Sequence, residues 1–503
     1  MELDTNVPLV TMGISELDDI LGGGLTRNSV YLLNGAPGSG KTTLAMQYLF
    51  EGRAKGEKVL YVTLSETRKE LQAAAASHGW SFDGIDVFEL VADDIELHSE
   101  NQYTVYQSSE VELSMTTQVM LEEIERVNPT RLVVDSLAEV KLLSQSALRF
   151  RRQVLALKHY FSGRKCTVLF LDDKTTVGED MQLESIVQGV INLEQLSPEY
   201  GAERRRLRVS KLRGQRYRGG YHDFTIVKGG LCVFPRIVAS EHTQSAHQGN
   251  LTSGVPQLDS LLGGGIERGT SVLLLGPAGA GKSTTALQYA ATAAARGERS
   301  VIFIFDERVE TLVRRCVGLG IDIGGYIKQG LIDVRAIDPT EMSPGEFAHR
   351  VRECVEGQEG KQAAKIVVID SLNGYLNAMP EERFLTAQLH ELLTYLGHHG
   401  IVTFVVVAQH GVLGHSVLAP IDTSYLADCV ILYRYFEVMG EVRQAISVLK
   451  KRAGLHERTL REFSMGNGGL HVGEPLKEFQ GVLTGAPFFV GAGQHAQSKS
   501  CAS

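Results

Sequence analysis

Tryptophan occurs once in these 503 residues, at Trp80, and proline only thirteen times, so no proline-rich linker or low-complexity tract organises the chain. Basic charge is not in excess. The 50 Lys and Arg stand against 59 Asp and Glu, a formal net charge of -9, which leaves no electrostatic footprint for nucleic acid. Paired cysteines are missing too: Cys166, Cys232, Cys316, Cys354, Cys429 and Cys501 form no C-x-x-C and read as reduced, mostly buried thiols. No apolar run approaches the roughly 18 residues that span a bilayer. The opening MELDTNVPLV has neither the basic nor the apolar region of a secretory leader. The expectation is a cytoplasmic protein with no membrane contact. At 43% hydrophobic and 22% charged residues, the composition is that of a globular chain and excludes general disorder.

What the chain has in abundance is itself. Residues 11–62 return at 252–303, with Gly13, Asp18, Gly35 and Lys41 matched by Gly254, Asp259, Gly276 and Lys282, all at a shift of 241 positions. A period this long is a duplicated domain. In each copy an apolar strand (30–34; 271–275) enters a Gly-rich loop and a helix. Further apolar strands follow at 59–64 and 301–305, at 131–135 and 365–370, and at 167–171 and 402–408. Unbroken Val/Ile/Leu strands alternating with helices predict α/β domains, each a mostly parallel twisted sheet flanked by helices. Residues 1–240 form the first domain, 251–475 the second, and 476–503 a closing loop and tail. A polar stretch without periodicity, near 238–250, marks the linker. Trp80 is expected to cover apolar surface near the first helix.

Two segments fit G-x-x-x-x-G-K-[ST]: Gly35-Ala36-Pro37-Gly38-Ser39-Gly40-Lys41-Thr42, followed by Thr43, and Gly276-Pro277-Ala278-Gly279-Ala280-Gly281-Lys282-Ser283, followed by Thr284. Glycines let successive backbone N–H groups face a phosphate, and the next helix adds its positive end. The lysine reaches the β- and γ-phosphates, and the Thr or Ser hydroxyl ligates Mg2+. The cofactors implied are ATP and Mg2+. A carboxylate at a strand end completes the metal set, and Asp135 and Asp370 stand there, followed by Ser136 and Ser371. Hydrolysis also needs an acid to orient water. Glu66 follows the 59–64 strand, and Asp306 with Glu307 follows 301–305.

With these residues in place the chain resembles the KaiC family of clock ATPases and autokinases, within the RecA/RadA superfamily. The resemblance runs over roughly 8–487. It rests on the P-loops, on the upstream segments Gly13–Leu25 and Gly254–Ile266, on Lys211-Leu212-Arg213 and Lys450-Lys451-Arg452, and on the ending EFQGVLTGAP at 478–487. It implies two tandem RecA-like P-loop domains in a homohexameric double ring. Lys211, Arg213, Lys450 and Arg452 would then reach the neighbouring subunit's ATP; read without the family they are solvated strand residues. The family also implies small regulatory protein partners and serine/threonine autophosphorylation in the second domain. Aligned on Asp428, Ser424 takes the family's serine position, with Thr423 beside it and Tyr425 where the family has threonine. Likewise Ser65 and Asp306 stand where the family has the first of two glutamates. Gln409-His410 reads either as a γ-phosphate sensor or as a polar strand end. The arginine-rich run 204–208 reads as an exposed strand face, with a nucleic-acid contact as the alternative. Two rival functions remain: a RecA/RadA-like DNA-dependent ATPase, and an ATP-gated hexameric scaffold with little turnover.

Overall fold

The structure is a computed structural model that describes residues 8–90, 108–173, 181–241, 249–357, 362–377, 385–409, 426–483 and 488–489. The chain divides into two compact units between Arg236 and Ile237.

In the first unit, nine strands form a sheet: β1 (Val30–Gly35), β2 (Val59–Thr63), β3 (Asp86–Glu89), β4 (Arg131–Asp135), β5 (Thr167–Asp173), β6 (Gly189–Leu196), β7 (Arg204–Leu212), β8 (His222–Val227) and β9 (Gly230–Phe234). Their order across the sheet is β9-β8-β7-β6-β1-β5-β4-β2-β3. The six strands from β6 to β3 run parallel, and β7 to β9 extend the edge antiparallel. The second unit repeats this with β10 (Ser271–Gly276), β11 (Ser300–Ile304), β12 (Ile332–Ala336), β13 (Ile366–Asp370), β14 (Val402–Ala408), β15 (Cys429–Val438), β16 (Glu441–Lys451), β17 (Arg461–Gly466) and β18 (Gly469–Pro475), in the order β12-β11-β13-β14-β10-β15-β16-β17-β18. The α/β reading with two RecA-like P-loop sheets therefore holds.

Every residue of β1 and β10 is buried, because both faces of a parallel sheet are covered. On one face of the first sheet packs helix α1 (Lys41–Ala54), whose buried Leu44, Ala45, Tyr48 and Leu49 recur at helical spacing. With it packs α2 (Arg68–Ser77), which starts in a capping box between Thr67 and Glu70. On the other face lie α3 (Ser108–Val127), α4 (Leu137–Ser144) and α5 (Ala147–Ser162). The second unit places α6 (Lys282–Ala294) and α7 (Val309–Gly318) like α1 and α2, with α8 (Pro344–Glu356) and α9 (Leu385–His398) on the opposite face.

The upstream signature is a structural clasp. Asp18 Oδ1 accepts the Met12 amide at 2.7 Å, and Asp259 Oδ1 accepts the Ser253 amide at 2.7 Å. Burial pushes the Asp18 carboxyl up to about 6. The strands end slightly off expectation. Residues 64 and 305 lie past β2 and β11, where Leu64 and Phe305 each give one last amide bond, to Asp135 O and Asp370 O. The start of the expected linker is ordered: Ala239–Glu241 form a 3-10 turn, and the Ala239 amide donates to Glu391 Oε2 at 3.0 Å. Trp80 packs against Phe50 of α1, as expected, with ring centroids 5.2 Å apart and the planes tilted by 59°.

Candidate functional site

At the carboxyl end of β1 the chain turns through Gly38 (φ 80°) and Gly40 (φ 100°) into α1. A Cβ on Gly40 would come within 2.8 Å of Ile226, and one on Gly35 within 2.6 Å of Ser39 Oγ, so side chains are excluded from the cradle. Gly279 (φ 77°) and Gly281 (φ 95°) repeat the turn before α6, where a Cβ on Gly281 would meet Phe463 at 2.5 Å. The expected phosphate residues thus form one loop in each unit. Both lysines are buried in it.

Thr42 Oγ1 donates to Asp135 Oδ2 at 3.2 Å, and Ser283 hydrogen-bonds Asp370. Each hydroxyl and carboxylate forms a hard-oxygen pair of the kind Mg2+ accepts. Together with the glycine cradle, this donor set fits Mg2+-ATP. Burial raises both carboxyls above the usual range; the bonds from Tyr61 and Thr42 oppose this at Asp135, and the bond from Ser283 opposes it at Asp370.

Beyond that shared frame the two pockets diverge. The floor of the first is polar: Asn34, Asp172 and Asn192 lie buried side by side in register on β1, β5 and β6. Neither amide atom of Asn34 finds a partner among the described residues, and neither does the Ser39 hydroxyl. Tyr61 OH donates to Asp135 Oδ2 at 2.5 Å. Thr63 Oγ1 donates to Glu66 O at 2.7 Å, and the Glu66 amide returns a bond to the same hydroxyl. Lys41 Nζ donates to Gly35 O at 2.8 Å and Ala36 O at 3.0 Å, and meets Asp173 Oδ1 at 2.7 Å. At the matching places the second unit has Leu275, Val407, Leu432, Ala280, Ile302, Ile304 and Ala408. Lys282 donates to Pro277 O at 2.6 Å, and burial lowers its ammonium to about 8.

The expected acids separate in the same way. Burial, followed by the charge of Asp135, raises the Glu66 carboxyl. In the second pocket Asp306 Oδ2 accepts from Ser371 Oγ at 2.6 Å, while Glu307 is ion-paired with Arg315 at 2.7 Å. Sequence reasoning missed Arg315, Tyr61 and Asp173. The repeat alignment carried a signal for the first, since Arg315 matches Ala74.

The four strand cations stand apart from these clusters. Lys211 Nζ donates to Glu184 O and to Val187 O (2.8 Å), and Arg213 to Ser185 O at 3.1 Å. Lys450 donates to Ala427 O at 2.8 Å, and Arg452 meets Asp428 Oδ1 at 3.1 Å. β7 is separated from the P-loop strand β1 by β6, and β16 from β10 by β15. In the 204–208 run Arg208 is exposed, Leu207 buried and the other three half-buried; Arg206 bonds Glu194 at 2.8 Å and lies over the Tyr221 ring. The Gln409 amide donates its backbone N–H to Gly276 O at 3.0 Å; its buried side chain has no partner among the described residues. His410, Thr423, Ser424 and residues 484–487 lie outside the described residues.

A family description, "ATPase: KaiC", matches the chain twice, over residues 10–237 and 251–477. A "Circadian clock protein KaiC3" of Synechocystis sp. is 26% identical over 487 residues, covering 95% of this chain and 94% of that one. The "Circadian clock oscillator protein KaiC" of Parathermosynechococcus lividus is 26% identical over 489 residues (96% and 88% covered), and that of Synechococcus elongatus 26% over 480 residues (94% and 91%).

Proposed function

Because this chain belongs to the KaiC ATPase family, with one such domain in each half, we propose that both pockets bind Mg2+-ATP, that the first hydrolyses it, and that the second transfers its γ-phosphoryl group to a serine or threonine of the chain itself. The observation that carries this reading is the duplicated cradle: a buried lysine beneath a glycine loop, with Thr42–Asp135 in one unit and Ser283–Asp370 in the other.

Lys41 and Lys282 would hold the β- and γ-phosphates, and Thr42 with Asp135, and Ser283 with Asp370, would hold the metal. Mg2+ supplies charge neutralisation on the phosphate oxygens when bound. Glu66 is suited to orient water, because its raised carboxyl accepts a proton more readily than an ordinary glutamate. Asp306, aimed by Ser371, is suited to receive the proton of an attacking hydroxyl. The unpartnered Gln409 amide supports the γ-phosphate sensor reading. Lys211, Arg213, Lys450 and Arg452 sit two strands from their own P-loop strand, which supports their acting on a neighbouring subunit's nucleotide in a homohexamer. Inserted cations of this kind are worth on the order of 10³–10⁵ in rate where an arginine finger is used. The assembly would work in the cytoplasm as a phosphorylation-biased switch, read by small regulatory proteins. The partners already held by Arg206 weigh against the DNA-dependent rival.

The test is incubation of the purified chain with Mg2+-ATP carrying a labelled γ-phosphate, followed by peptide mapping. Label on Ser424 or Thr423, lost in Lys282→Ala, is the expected result. Phosphate release without any label would leave a double ATPase and remove the kinase.

A further inference from the structure

The second pocket holds a charged group that the first does not have. Arg315 lies on α7, seven residues into the helix, and its Nη2 bonds Glu307 Oε2 at 2.7 Å. Its Nη1 lies 3.5 Å from Thr284 Oγ1, on the first turn of the P-loop helix. The same guanidinium acts on the metal carboxylate, Asp370, lowering its proton affinity. One side chain therefore links the strand-end acid, the P-loop helix and the metal site. The corresponding residue of α2 is Ala74, which cannot pair with Glu66.

Hydrolysis forms a bond between the water oxygen and Pγ as the bond from Pγ to the bridging oxygen breaks, its electron pair leaving with ADP. The water's proton must pass to a carboxylate. A carboxylate already accepting from a guanidinium is a poor acceptor, since a proton there would break a charge-assisted bond.

Resting on the reading of this pocket as an ATP site, we propose that Arg315 is a positioning residue that occupies Glu307 and withholds that acid from water, so that ATP in the second domain is kept for transfer to a hydroxyl served by Asp306. Arg315 sets which acceptor the pocket serves, without contacting the phosphates.

The test uses the full chain with Lys41→Ala, which confines turnover to the second pocket. In that background Arg315→Ala is expected to raise kcat for phosphate release about tenfold with KM unchanged, a fraction of the roughly 10²–10⁴ that a positioned base contributes. Arg315→Lys restores the parent rate, and adding Glu307→Gln to Arg315→Ala removes the gain. A lower kcat or a raised KM in Arg315→Ala, with an unchanged melting profile, would overturn the proposal and make Arg315 a phosphate ligand. Filter binding of ATP to the Lys41→Ala parent separates the two levels. Absence of ATP there, lost no further on Lys282→Ala, would overturn the pocket assignment itself.

Discussion

The first and second pockets have the same backbone and opposite chemistry beneath it. Asn34, Tyr61, Thr63, Asp172, Asp173 and Asn192 floor the first, where the second has Leu275, Ile302, Ile304, Val407, Ala408 and Leu432. In the polar pocket the lysine is paired with a carboxylate and Asp135 is braced by a tyrosine. In the apolar pocket the lysine bonds a carbonyl and its ammonium is weakened by burial, while the cation stands on the acid instead. The difference teaches that duplicated P-loops need not be duplicated sites: the cradle fixes where phosphate sits, and the floor sets what charge meets it.

The largest expected break of symmetry is in acid. His222, fully buried at the start of β8, accepts the Arg236 amide at Nδ1 at 3.0 Å and faces Arg218 O. Burial holds its folded-state pKa down at about 4, against an ordinary 6.5. The unfolded chain therefore binds the proton first, so stability is full above pH 6.5 and falls as pH drops towards 4. Between about pH 7 and pH 5 the His222 contribution alone should cost the first domain roughly 2 kcal/mol, against which Asp18, raised to about 6, returns part by taking up its proton in the folded state first. The matching residue of the second domain is Arg461, paired with Glu457 at 2.9 Å, which contributes no such loss. Trp80 is the chain's sole tryptophan, so its fluorescence follows the first domain alone. The same acid response of the Trp80 melting transition in His222→Gln as in the parent would erase the contrast; the variant should instead be the more stable of the two at pH 5 relative to pH 7, because only the Asp18 gain is left.

Next in size, Tyr61→Phe removes a hydrogen bond to a buried carboxylate and should cost the first domain about 1.5 kcal/mol in denaturant unfolding followed at Trp80. Equal stability would mean that the tyrosine is not what holds Asp135.

The smallest effect sharpens the comparison of lysines. Asp173→Asn frees Lys41 for phosphate, and in a Lys282→Ala background ATP should bind about fivefold tighter, as for a partly exposed ion pair of about 1 kcal/mol. Weaker binding would make Asp173 part of the nucleotide site rather than its competitor.

Much of this architecture is legible in the amino-acid sequence. The cradles, the helices after them, and Asp135 with Asp370 follow from phosphate and metal chemistry, which force residue types into short, fixed spacings. The sheet strands stand out as unbroken apolar runs. Tyr61, Asp173 and Arg315 do not. Tyr61 meets Asp135 across 74 residues of chain, and Asp173 meets Lys41 only because β5 lies beside β1. Arg315 reads as a cation on a surface-facing helix until α7 turns it towards Glu307. The strand cations are legible as a pattern, and the structure sets one strand between theirs and the P-loop strand, with the cations bonded to nearby backbone carbonyls and Asp428.

The side-by-side placement of Asn34, Asp172 and Asn192 also bears on how the two halves can evolve. Replacing any one of them with its apolar counterpart leaves the others facing hydrocarbon, so each single step costs more than the completed exchange. Copying a short stretch of one half into the other would therefore produce a mismatched floor, polar on one strand and apolar on the next. The three strands carry one shared constraint, and the two halves are not interchangeable piece by piece.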